Sequence, residues 1–120
     1  MLRTRSAMPG VFEGPYLFQT PQGYVLRCAC CGRFEIGFGR LLLQLPPAQF
    51  ALLCQRVKTL AAEAWKTDRL CLMSLVGRTE GSRVYYTFSR AELMELRTLL
   101  EGAQAMLALE ALLRQTLHSA

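Results

Sequence analysis

Along the first half of the chain, apolar and polar positions alternate over short stretches separated by turn-forming residues. Tyr16 to Thr20 is followed by Pro21-Gln22-Gly23 and then by Tyr24 to Cys30, the pattern of a β-hairpin. Cys31-Gly32-Arg33 marks a second turn before Phe34 to Phe38, in which Phe34, Ile36 and Phe38 fall on one face and Glu35 and Gly37 on the other. A period of two over such a run predicts a half-buried strand. Gly39-Arg40 ends it, and Leu41 to Leu45 reads as a fourth strand.

The period then changes. Pro46-Pro47 suits a helix start, because proline at the first helical position gives up an N–H that has no partner there. Phe50, Leu53, Cys54, Val57, Leu60, Ala61 and Ala64 recur at helical spacing and predict one buried stripe on a helix running from 47 to about Trp65. Leu70 to Val76 and Arg83 to Phe88, joined by Gly77 to Ser82, form a further predicted hairpin. Ser89-Arg90-Ala91-Glu92 has the form of a capping box, so a last helix begins there and extends to His118.

These elements predict an α+β domain of order ββββαββα, with an antiparallel sheet and both helices on one of its faces, since neither helix can bury its stripe alone. Leu43 to Leu53 lies over Tyr86 to Leu96 at an offset of 43 residues, each copy reading as strand end, cap and apolar helix face. That repeat raises a ββ(ββ)α internal duplication, although any strand-to-helix junction needs the same parts. Residues 1–15, with Met8-Pro9-Gly10 and Gly14-Pro15, read as a flexible N-terminal arm, and residues 16–120 as a single domain.

Composition narrows the class. The 120 residues suffice for a real core, and at 52% hydrophobic against 19% charged the chain has apolar surface to spare for self-association. No run approaches the roughly 20 apolar residues of a membrane span, and Met1 to Gly10 is not followed by the apolar stretch of a secretory signal. With five cysteines, an odd number, the expected compartment is the reducing cytoplasm. The net charge of +5 permits contact with nucleic acid, but the basic residues are dispersed rather than clustered.

The residues bear on three chemistries. Cys28 and Cys31 have the C-x-x-C-G spacing of a zinc knuckle, in which a tight turn aims two thiolates at one metal. Further ligands would have to come from Cys30, Cys54, Cys71 or His118, or from a second chain. The expectation is therefore no cofactor, with zinc as the alternative. Alternation assigns Arg27, Glu35, Gln44, Arg83, Tyr85 and Thr87 to an open polar sheet face, where Arg27, Arg83 and Tyr85 would grip a single nucleic-acid strand through phosphate contact and stacking. For catalysis there is one histidine, His118, near the end of the chain and no serine in a nucleophile-elbow setting, so the protein is expected not to be an enzyme.

Gly23-Tyr24-Val25-Leu26-Arg27-Cys28-Ala29-Cys30-Cys31-Gly32, with Phe34 to Gly39, Leu41 to Leu43 and Phe50, resembles a family of uncharacterised short bacterial proteins. Their shared order is a Gly-Tyr start, C-x-x-C, an apolar run, Phe-Gly and a leucine strand. That resemblance implies a domain boundary and no activity. In topology alone, the element order is similar to the repeats of PUR-type single-strand-binding proteins.

The last helix carries the functional expectation. Over about 30 residues it would span about 45 Å, whereas strands of five or six residues span about 17 to 20 Å. Met106 to Leu113 is apolar nearly all round, and such a helix is normally buried. The predicted function is a homodimeric or protein-interaction module with Met106, Leu109, Leu112 and Leu113 at the contact. The rival is a break at Gly102 that folds the last segment back.

Overall fold

The computed structural model describes residues 13–63, 69–76 and 83–119, with side chains described as far as Glu63 and again from Tyr86 to Leu117. The elements are β1 (Tyr16–Thr20), β2 (Gly23–Arg27), β3 (Phe34–Phe38), β4 (Leu41–Leu45), α1 (Pro47–Ala62), β5 (Arg69–Val76), β6 (Arg83–Ser89) and α2 (Arg90–Ser119). The order is the predicted ββββαββα, an α+β fold. Residues 1–12, 64–68, 120 and 77–82, the last being the segment predicted as a turn, lie outside the described residues.

The six strands form two antiparallel sheets, one in the order β1-β2-β3-β4 and the other a β5-β6 hairpin. Val25 stands opposite Ile36, and Ile36 opposite Leu43, so a row of three apolar side chains crosses the larger sheet. This row is buried under the helices, where Phe50, Leu53, Cys54, Val57 and Ala61 of α1 meet Leu93, Leu96, Leu99, Leu100 and Ala103 of α2. Both stripes recur every three or four residues, which is why each helix presents one apolar side. Fully burying a leucine contributes about 1.5–3 kcal/mol, so the α2 quartet is a principal anchor of the core. Phe34 stacks on Phe50 with ring centroids 4.5 Å apart, and Phe38 meets Phe88 at 6.4 Å, which ties the second hairpin to the first sheet.

Both helix starts follow from local chemistry. Pro46 caps α1 in an extended conformation, its carbonyl accepting from the Phe50 N–H at 2.9 Å. At α2 the capping box is made as predicted: Ser89 N–H donates to Glu92 Oε1 at 2.8 Å, and Glu92 N–H to Ser89 Oγ at 3.1 Å. One local feature departs from simple alternation. The β1 register slips by a residue between Tyr16 and Phe18 as Leu26 gives way to Val25 on β2. A bulge of this kind puts two residues opposite one, so Leu17 is buried in the core and Phe18 packs against it.

Candidate functional site

The β2–β3 connection holds three of the cysteines. The second strand, expected to run to Cys30, ends at Arg27, and Cys28 to Cys31 form the turn. The chain reverses there because Gly32 takes a φ of 76°, a left-handed conformation that glycine adopts without steric cost. Gly32 N–H donates to the Cys28 carbonyl at 3.0 Å, and Cys28 N–H to the Arg33 carbonyl at 2.8 Å. From outside, Ala29 N–H donates to the Glu13 carbonyl at 3.1 Å and Arg27 N–H to the Pro15 carbonyl at 3.3 Å. Gly14 passes so close to the Arg27 carbonyl that a β-carbon there would overlap it. Glu13 to Pro15 thus buttress the turn.

The consequence is convergence of sulfur. The Sγ atoms of Cys28, Cys30 and Cys31 all lie within 4.8 Å of one another. Those of Cys28 and Cys30 are 3.1 Å apart and share a hydrogen bond. That bond holds the Cys28 thiol down at about 7, prevailing over the opposing effect of burial, while the same partner and its charge push Cys30 up to about 11. Cys28 is buried, and Cys30 and Cys31 are exposed. Spacing alone named Cys28 and Cys31, but the turn brings Cys30 in as a third sulfur. Cys54 faces the core from α1, where burial raises its thiol to about 12.

The residues proposed to hold nucleic acid are arranged differently from the alternation argument. Cross-strand register places Arg27 opposite Phe34, in line with Val25 and Ile36, whereas Glu35 stands opposite Leu26 and Gln44. Arg27 is therefore on the helix-facing side of the sheet, not with Glu35 and Gln44. There its Nη2 donates to Glu110 Oε1 on α2 at 2.7 Å. Arg83 and Tyr85 lie on β6, and their side chains are outside the described residues.

Glu35 is not a solvated residue of an open face. It is fully buried, accepting from Tyr24 Oη at 2.8 Å and from Gln44 Nε2 at 2.9 Å. The Tyr24 ring lies in the space that a side chain at Gly37 would fill, which lets its hydroxyl reach the carboxylate. Nothing in the spacing singled out this group, because the partner of a strand residue is set by register and not by sequence distance.

Helix α2 is unbroken from Arg90 to Ser119, so the fold-back at Gly102 does not occur. Gly102 instead accommodates the Phe18 ring, which occupies the place of its missing β-carbon. Beyond Glu110 the helix runs out of sheet, and residues 111–117 are all exposed. Met106, Leu109, Leu112 and Leu113 are exposed as expected, and Leu117, 75% exposed, extends the row. At 100° per residue, Leu109, Leu112, Leu113 and Leu117 fall within an arc of about 140°, centred away from Leu93, Leu96 and Leu100, with Leu117 in line with the buried Leu99 but beyond the sheet. Leu117 was missed although it continues the four-residue spacing of Leu109 and Leu113.

A sequence model of a family of unknown function, DUF6686, matches residues 13–116. The chain belongs to that family. No curated protein and no solved structure matches it. The part matched to DUF6686 contains both the three-cysteine turn and the exposed row as far as Leu113. Among the described residues no helix is long and apolar enough to cross a membrane.

Proposed function

We propose that this DUF6686 protein is a non-enzymatic module that pairs with a second copy of itself through the free half of α2. The observation that carries this reading is the exposed row Met106, Leu109, Leu112, Leu113 and Leu117 on a helix that outruns its sheet. Soluble monomers seldom leave contiguous apolar surface of this kind uncovered. A second copy is the occupant that the chemistry fits best. The row contains no charged residue, so it offers nothing for an acidic or basic partner to read, and leucine against leucine is self-complementary about a two-fold axis. An antiparallel arrangement would also set the two helix dipoles against each other favourably. The Arg27–Glu110 pair anchors the helix to β2 at the base of the overhang and holds the row in one orientation.

Light scattering on the eluting protein is the test. The expected result is a dimer that becomes a folded monomer when Leu109→Glu and Leu113→Glu are combined. A wild-type monomer at about 100 μM would end the proposal, because any contact would then be weaker than about 5.5 kcal/mol.

A further inference from the structure

The three-cysteine turn is a separate matter from the helix contact and does not depend on it. Its backbone is fixed by hydrogen bonds that involve no sulfur: Gly32 to Cys28, Cys28 to Arg33 and Ala29 to Glu13. The turn's backbone thus brings the three cysteines together, and the Cys28–Cys30 hydrogen bond adds to this at the thiols themselves. Zinc–sulfur bonds of about 2.3 Å in a tetrahedral site put neighbouring sulfurs about 3.8 Å apart. Here the three sulfurs lie within 4.8 Å of one another, and those of Cys28 and Cys30 are 3.1 Å apart. Changes of about 1 Å or less, within reach of cysteine side-chain rotation, would equalise them around one ion. Among the described residues no carboxylate or imidazole joins the group. An all-sulfur donor set selects soft ions such as Zn(II) and Cu(I) over Mg(II) or Ca(II).

We propose that Cys28, Cys30 and Cys31 together bind one soft, thiophilic metal ion, with the remaining coordination position open to water or an external thiol. Each ligating thiol gives up its proton to solvent, and no electron is transferred. Because Cys30 and Cys31 are exposed, the ion enters and leaves without unfolding the chain. The core of α1, α2 and the large sheet closes without any of these sulfurs except Cys28 at its margin. The ion is thus an exchangeable ligand of a folded protein and not the nucleus of its fold.

The experiment uses the full chain, reduced and stripped of metal, titrated separately with Zn(II) and with Cu(I) against a chromophoric competitor. Cd(II) serves as a reporter, since its sulfur-to-metal charge-transfer absorption grows with each thiolate bound. One ion per chain is expected, with the absorption of three thiolates. Cys30→Ser and Cys31→Ser should each weaken binding by more than the roughly 10–100-fold typical of changes outside the ligand set, and Cys54→Ala should leave it unchanged. Both serine variants alter exposed residues, and far-UV circular dichroism confirms that they are folded. Binding of Cu(I) without Zn(II), or the reverse, supports the site and names its ion. Two outcomes overturn it: no stoichiometric binding of either ion by fully reduced protein, or a two-thiolate spectrum that Cys30→Ser leaves unaltered.

Discussion

Gly102, midway along α2, lies against the ring of Phe18 on β1 so closely that a β-carbon at position 102 would overlap the ring. Glycine inside a helix usually costs about 1 kcal/mol relative to alanine, so Gly102→Ala would stabilise an isolated helix. Here overpacking, at about 1–3 kcal/mol, opposes that gain. The expected outcome is net destabilisation in urea unfolding, relieved when Phe18→Leu is added. Simple additivity of the two changes in a double-mutant cycle would refute the contact.

Glu35 accepts hydrogen bonds from Tyr24 and Gln44 where no part of its side chain meets water. Removing a donor leaves a buried acceptor under-satisfied, at a cost of about 1–3 kcal/mol. Tyr24→Phe keeps the ring over Gly37 and deletes only the hydroxyl, so it should lower the unfolding free energy by that amount with an unchanged m-value. A variant as stable as wild type would show that the hydroxyl contributes nothing.

If α2 pairs two copies, association adds to apparent stability by mass action. The melting temperature of wild-type protein should rise with concentration. In the Leu109→Glu/Leu113→Glu variant it should not, because both side chains are exposed in the single chain and their replacement costs the monomer only about 0.5 kcal/mol or less each. Loss of the fold in that variant, rather than loss of the dimer, would contradict the exposed placement of the row.

Burial raises the Cys54 thiol from an ordinary 9.0 to about 12. Between those values the unfolded chain has released a proton that the folded chain retains, so stability falls as pH rises through this window and is intact below it. Urea midpoints measured at about pH 8 and about pH 10 should therefore differ by less in Cys54→Ala than in wild type. An equal alkaline decline in both proteins would remove Cys54 as its source.

The Arg27–Glu110 pair is about one-third exposed at both ends. Such a pair contributes about 1 kcal/mol at most and is screened by salt. Glu110→Gln should cost no more than that at low ionic strength, with the difference shrinking as salt is added. A loss well above this would mean that the pair is effectively shielded from solvent.

Much of this molecule is decided by near neighbours in sequence. Alternation at Phe34, Ile36 and Phe38, the prolines at 46 and 47, and the Ser89–Glu92 box place β3, the start of α1 and the start of α2 within a residue or so, because strand parity, proline geometry and capping act over four residues or fewer. The apolar excess of Met106 to Leu113 was visible for the same reason, since helical spacing is a local property. Tertiary structure alone decided what depends on distant partners. The bulge at Leu17 came from the β1–β2 register, while the β2–β3 register placed Arg27 opposite Phe34 on the helix side and Glu35 within hydrogen-bond reach of Tyr24. Gly102 looked like a break because its helix penalty is local, whereas the Phe18 ring that requires it is 84 positions away in sequence. Cys30 joined Cys28 and Cys31 only when Gly32 turned the chain and Glu13 and Pro15 fixed that turn from outside. Spacing can propose a pair of sulfurs, but their convergence depends on which strand the turn is folded against.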